Sequence, residues 1–150
     1  MKFKIIEAES IHIEQVGKLF DLYRQFYKYE SNLISSTNYI KDRINNKESK
    51  IFIAINNDNE VIGFVQLYET FGSLDLGKII ILYDLYVIED YRKNNIGRKL
   101  MIKSHEYAKK NNAKRIQLST AIDNYIGQSL YESLGYIKED DFYTYDFEIK

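Results

Sequence analysis

Two groups of residues in this chain are of a type and spacing that could do chemistry. The first is Asp84, an acid set inside the apolar run Lys78 to Val87. A charge inside a strand is costly unless something uses it or pairs with it. The second is the run Arg92-Lys93-Asn94-Asn95-Ile96-Gly97-Arg98. This polar turn reopens at once as a helix, with Ile96, Leu100, Met101, Ser104, Tyr107 and Ala108 spaced along one face. A helix entered through Asn and Gly offers unpaired backbone N–H groups and the positive end of its dipole. With Arg92, Lys93 and Arg98 around it, that start is an anion site suited to phosphate, and it implies a phosphate-bearing cofactor.

Those groups have to be positioned by a chain of 150 residues, enough for one domain with a real core. A net charge of −1 gives no nucleic-acid footprint, and no apolar run is long enough to span a bilayer. The N-terminus Met1 to Glu7 lacks the pattern of a signal peptide, so a cytoplasmic location is expected. The absence of Cys removes thiol nucleophiles, disulfides and Cys-based zinc sites. Only His12 and His105 are present, far apart in sequence, which disfavours a Ser-His-Asp hydrolase or a His-rich metal enzyme.

Hydrophobic spacing predicts an opening strand at Phe3 to Glu7 and then a helix capped by Ser10. That helix carries Ile13, Val16, Leu19, Phe20, Tyr23, Phe26 and Tyr27 as its stripe. A shorter helix starts near Ser36 or Thr37 with Ile40 and Ile44 inward. Lys50 to Ile55 and Val61 to Tyr68 form a hairpin around Asn56 to Asn59. Gly72 to Gly77 is a loop, Lys78 to Val87 a strand, and Asn111-Asn112 end the helix that follows. Arg115 to Ser119 is too far from Val87 for a hairpin, so the two strands run parallel across a helical crossover. Asp123 or Asn124 caps a last helix with Ile126, Leu130 and Leu134 inward and Gly135 as its stop. Tyr136-Ile137 and Phe142 to Phe147 are expected closing strands. The expected fold is α/β (α+β), a mixed sheet flanked by helices in a single domain covering residues 1–150.

At Leu85 to Arg98 and Asn124 to Tyr136 the sequence resembles the GNAT superfamily of N-acetyltransferases, over essentially the whole chain. The family's cofactor motif is Arg or Gln, two variable residues, Gly, one variable residue, then Gly or Ala. Here Gly97 keeps the second Gly position and Asn95 replaces the first. Asn is the non-Gly residue best able to hold left-handed backbone angles, so the departure is mild. A second signature matches Asn124, Gly127 (a position usually Ala), Tyr131 and Gly135-Tyr136. The resemblance implies a sheet of six to seven strands with about four helices, acetyl-CoA as donor, no metal, and a primary amine as acceptor. Leu82 to Val87 followed by Asp90-Tyr91-Arg92 is similar to the polyamine (spermidine/spermine) acetyltransferases, but Tyr83 stands where those enzymes commonly carry a second acid.

Several roles follow from the resemblance. Leu85, Tyr86 and Val87 present backbone groups to thioester and pantetheine, and Arg92, Lys93, Asn94, Asn95, Ile96, Gly97 and Arg98 hold the diphosphate. Asn124 caps its helix and contacts cofactor. Tyr131 protonates the departing thiolate, since its reference pKa of ~10 lies above the thiol's ~8.5. Asp84 attracts the cationic amine, whose pKa near ~10.4 requires a proton acceptor, with water as the relay. Tyr23, Tyr27, Glu30, Tyr68, Glu69, Tyr83 and Asp84 line the acceptor site, mixing charge with aromatic faces. The expected partner is a small-molecule amine, with neither nucleic acid nor membrane, and the strand Phe142 to Phe147 suggests a homodimer. The competing classes are a protein or peptide lysine (or N-terminal) acetyltransferase and a CoA-binding module without turnover.

Overall fold

Three antiparallel pairings and one parallel pairing build the sheet in a computed structural model describing residues 1–150. In chain order the elements are β1 (Phe3–Glu7), α1 (Ile13–Phe26), α2 (Leu33–Asn45), β2 (Lys50–Asn56), β3 (Val61–Gly72) and β4 (Gly77–Val87). Then follow α3 (Ile96–Lys110), β5 (Ile116–Gln117) and α4 (Tyr125–Ser133). Two compact units result, residues 1–118 and residues 119–150.

In the first unit the five strands lie in sequence order, β1 to β5. Strands β2 and β3 are the hairpin expected from their β-branched runs and the Asn-rich turn between them. Phe64 packs with Val16, Leu19, Phe20 and Ile40 on the α1–α2 face. On the opposite face Phe52 meets Tyr107 of α3. The sheet therefore has a helical layer on each side, and its faces are chemically separate.

Helix starts differ from the sequence expectation. Ser10 lies inside a 3₁₀ turn, Ser10–His12, and Glu9 is the capping residue there. His12 is buried and its Nδ1 accepts from the Glu9 N–H at 2.9 Å, a capping role missed in the sequence. Helix α2 starts three residues early, at Leu33, because the Asn32 side chain accepts from the Ser35 N–H at 3.0 Å. α1, α2 and α3 end in Schellman turns whose left-handed residues are Lys28, Lys47 and Asn112 rather than Gly.

The second unit contains α4 and no strand. Asn124 caps α4 by accepting from the Gly127 N–H at 3.2 Å. A Cβ at Gly127 would lie 2.6 Å from Asn124 Nδ2, so a larger residue there would require the Asn124 amide to shift. Gly135, at φ 91°, closes the helix: its N–H reaches Glu132 O, and the Tyr136 N–H reaches Tyr131 O. Ile126 is exposed rather than inward, and Leu130 and Leu134 are only partly covered. The closing strands expected at Tyr136-Ile137 and Phe142 to Phe147 do not form, so the sheet has five strands rather than six or seven. A strand needs a ladder to satisfy its backbone, and no other segment of the chain pairs with this one.

Candidate active site

The site begins with a single extra residue in β4. Gln66 of β3 stands opposite Asp84, while the next residue, Leu67, stands opposite Leu82. Tyr83 is therefore a bulge, and a one-residue slip moves every following side chain to the other face. Leu82 shares the α3 face with Leu67; past the bulge, Asp84 and Tyr86 share the α1–α2 face with Gln66 and Phe64. Without the bulge the carboxylate would point toward α3.

On that face Asp84 is 2% exposed. Gln66 Nε2 donates to its Oδ2 at 2.5 Å, and Ser49 Oγ donates to Gln66 Oε1 at 2.8 Å. The Tyr23 hydroxyl lies between the Tyr83 carbonyl, 3.0 Å away, and the Asp84 carboxylate. Burial pushes the Asp84 carboxyl up to about 6, with Gln66 and Tyr23 pulling the other way. No cation pairs with it. The Tyr23 phenol is pushed far up by burial and by the charge of Asp84, so it stays protonated.

Other aromatic residues complete the surroundings. Tyr27 meets Tyr23 edge-on at 5.1 Å, and Tyr83 meets Tyr68 at 5.8 Å. The Tyr68 and Tyr39 hydroxyls are 2.6 Å apart, and Tyr39 is sandwiched between the Phe20 ring and the Arg43 guanidinium. Gln66, Tyr39 and Phe20 were not anticipated as site residues. The one available signal was Gln66, a polar residue in register with Phe64 and Tyr68 along β3. Glu30 is exposed on the α1–α2 connection. Glu69 lies on the α3 face instead, accepting from Tyr107 at 2.6 Å and paired with Lys78 at 3.0 Å. It stands apart from the tyrosine cluster.

The edge of β4 beside Asp84 is open. The bond from Ile88 N to Ile62 O sets the ladder's phase, so Tyr86 and Asp84 bond to β3. Leu85 and Val87 consequently direct N–H and C=O away from β3. Strand β5 pairs with β4 only at Ile80 and Ile81, so in residues 1–118 no strand covers those groups. Arg92 Nε donates to Val87 O at 2.9 Å, and its guanidinium stacks on Tyr86, so Arg92 braces the turn.

The turn itself fits a phosphate-bearing group. Lys93 and Asn95 are left-handed, at φ 64° and 62°, and such alternation gathers amides into an anion-binding concavity. The first bond into α3 runs from Lys99 N to Asn95 O, so the amides of Ile96 and Gly97 have no intrahelical acceptor. Asn94 folds inward, donating to Tyr91 O and Arg92 O. Gly63 admits this helix start close to the sheet: a Cβ there would lie 3.1 Å from Tyr86 O and 3.2 Å from Ile96. In the second unit, Tyr131 sits on the last turn of α4 with Tyr136 6.2 Å away. No group of three or more acidic or His side chains is arranged to hold a metal, and no helix is long and apolar enough to cross a membrane.

Comparison with known proteins gives a consistent result. The profile of the acetyltransferase (GNAT) family matches residues 16–136. An uncharacterized N-acetyltransferase, YhfO, of Bacillus subtilis is 38% identical over 141 residues, 94% of each chain. A crystal structure of a probable acetyltransferase superposes with TM-score 0.90 at 34% identity, covering 98% of each chain. A spermidine N(1)-acetyltransferase of Thermoplasma acidophilum is more distant, 25% identical over 90% of each chain. That places the polyamine enzymes among distant relatives and leaves the acceptor open. The chain belongs to the GNAT family of acetyltransferases and is an N-acetyltransferase whose family implies acetyl-CoA as donor.

Proposed function

We propose that the chain transfers an acetyl group directly to the primary amine of a small cationic molecule, the class that includes the distant relative's spermidine, with Asp84 receiving the amine. The observation that carries this is the placement of Asp84: buried, without a cation, on the face lined by Tyr23, Tyr68 and Tyr83, and next to the open edge at Leu85 and Val87. An ammonium group entering there supplies the missing countercharge. A carboxylate with a pKa of about 6 is ionised at neutral pH yet basic enough to accept a proton. This deepens the role expected from sequence, where Asp84 attracts the amine and water relays the proton.

Acetyl-CoA, when bound, supplies the acetyl thioester. The turn amides near Asn95 to Gly97, with Lys93, would hold its diphosphate. The N–H of Val87 would donate to the carbonyl oxygen as charge develops there. Tyr131 would return a proton to the leaving thiolate, and residues 1–150 would act as one N-acetyltransferase domain. Purified protein with acetyl-CoA and an amine panel, followed by free thiol, tests this: thiol release that depends on amine is expected. Coenzyme binding without release for any amine would make the chain a binding module. Tyr131→Phe should lower kcat about 10- to 100-fold with coenzyme affinity within about threefold; a large affinity loss would make it structural.

The homodimer is a second element of this proposal. Tyr143, Tyr145, Phe147 and Ile149 alternate with polar residues and are 84–91% exposed, the pattern of a strand with one face to bury. A second copy offers such a face, and light scattering should give twice the 17.8 kDa chain mass. A single-chain mass at micromolar concentration would refute it.

A further inference from the structure

Gln66 is completely buried on β3, two residues from Phe64 and so on the same face of the sheet. An amide in such a place is costly unless its hydrogen bonds are made. Both ends of this one are engaged. Ser49 Oγ donates to Oε1 at 2.8 Å, and Nε2 donates to Asp84 Oδ2 at 2.5 Å. Leucine would fill the position without that cost, so packing alone gives no reason for an amide. With Oε1 taken by the Ser49 hydroxyl, Nε2 is the end turned to Asp84, and Nε2 can only donate. A donor to the charged form favours that form, so the link serves the carboxylate rather than the acid.

Ser49 is delivered by the turn that ends α2. Lys47 is left-handed at φ 54°, the Glu48 N–H returns to Arg43 O at 3.0 Å, and Arg43 pairs with Glu48 at 2.6 Å. Strand β2 begins one residue after Ser49, and Ile51 stands opposite Gln66. Two side chains thus tie the end of α2 to Asp84. No other group takes this role. Tyr23 has one hydroxyl proton, and it is divided between the Tyr83 carbonyl at 3.0 Å and the carboxylate. The titratable groups around Asp84 are otherwise tyrosines: Tyr27 of α1 behind Tyr23, Tyr68 of β3, and its β4 neighbour Tyr83. From α2, Tyr39 and Arg43 act on Tyr68. Burial keeps Tyr23 and Tyr68 protonated well above neutral pH. His105 belongs to α3, on the opposite face.

We propose that Gln66, oriented by Ser49, is a positioning residue for acetyl transfer, holding the Asp84 carboxylate ionised and in the orientation that receives the amine. This rests on the function proposed above and adds to it the two side chains that set the state of the acceptor carboxylate. Gln66 itself exchanges no proton and meets no substrate; its effect passes through Asp84. That separates it from a residue that only fills space, whose loss would lower activity alike at every pH.

The test follows the Asp84 carboxyl carbon by NMR in substrate-free protein labelled at its aspartate carboxyls, beside the pH profile of kcat/KM for spermidine and n-butylamine. In Gln66→Leu both inflections should rise by roughly 1–2 pH units, the effect of losing one hydrogen bond to a charged group. The loss of kcat/KM, about 5- to 50-fold near pH 6, should fade as pH approaches about 9. Ser49→Ala should move the inflection the same way by less, and Ser49→Thr, which keeps the hydroxyl, should bring it back toward the wild-type value. Ser49 is only half-buried, so its alanine variant carries the test where Gln66→Leu does not fold. In an Asp84→Asn background, Gln66→Leu should change kcat/KM by less than about twofold. With turnover intact, a resonance that titrates as in wild type, or an equal loss of kcat/KM at every pH, overturns the positioning role alone. A resonance that moves while the kcat/KM profile does not, or no thiol release with any amine, defeats the proposed use of Asp84 and this assignment with it.

Discussion

Asp21, held between α1, α2 and their connection, and Asp84, on the sheet, are both buried carboxylates, and their environments drive them in opposite directions. Both are pushed up by burial. At Asp21 that push is overcome by hydrogen bonds from Ser31, the Asn32 N–H, Ser36 and Gln25, and the net shift is downward. At Asp84 only Gln66 and Tyr23 oppose it, and the carboxyl ends at about 6. The number of donors decides which is a fastening and which retains capacity for a proton or a cation. A saturated carboxylate has nothing left to offer a substrate. The one left short of partners does.

The largest effect should come from the unsaturated member. Asp84→Asn is expected to lower kcat/KM for cationic amines by about 10²–10⁴, the usual scale for losing a positioned proton acceptor. The wild-type profile should rise with pH through an inflection near 6 as Asp84 ionises. Because its folded pKa is raised, ionisation between the unfolded value and about 6 costs stability, and that penalty is full at higher pH. The variant should therefore be at least as stable as wild type at pH 8 in urea. Unchanged kinetics with cationic amines would remove Asp84 as the amine's anchor.

Much of this pair's framework was legible beforehand. The β2–β3 hairpin, the crossover to β5 and the helix opening at Ile96 followed from spacing and turn composition. So did the left-handed backbone at Asn95. Asp84 was recognisable as a charge in an apolar run, but the reason it faces α1 was not. A bulge at Tyr83 leaves no composition signal, because Tyr is at home in a strand. For the same reason Glu69 was grouped with the acceptor residues, since side-chain direction depends on a register that spacing alone does not reveal. Asp21 was passed over because its partners arrive from a connection whose path is fixed only on folding. The strand at Phe142 to Phe147 failed for a further reason: alternation describes a segment's needs and says nothing of what pairs with it.

The saturated member should fail in the complementary way. Asp21→Asn puts an amide donor among donors, and at pH 7 it should cost about 2–4 kcal/mol, since hydrogen bonds to a charged group contribute roughly 1.5–3 kcal/mol each and are not additive. A lowered carboxyl pKa gives stability that is present above the unfolded value and lost as pH falls through the folded one. The gap between Asp21→Asn and wild type should accordingly close in urea titrations taken well below pH 4. A gap that persists there would mean the cost is steric rather than ionic.

The smallest effect belongs to Glu69, on the other face of the same hairpin. The Tyr107 hydroxyl, then Lys78, holds its carboxyl below the usual range, against burial. The pair is partly exposed, 30% and 38% for the two side chains, so screening leaves it worth no more than about 1 kcal/mol. Glu69→Gln should change stability by less than that and kcat/KM by less than about twofold, because the proposed function has the amine received on the opposite face of the sheet. An activity loss approaching that of Asp84→Asn would place the acceptor on the wrong side of the sheet, and the contrast between a spent and an available carboxylate would then describe packing rather than catalysis.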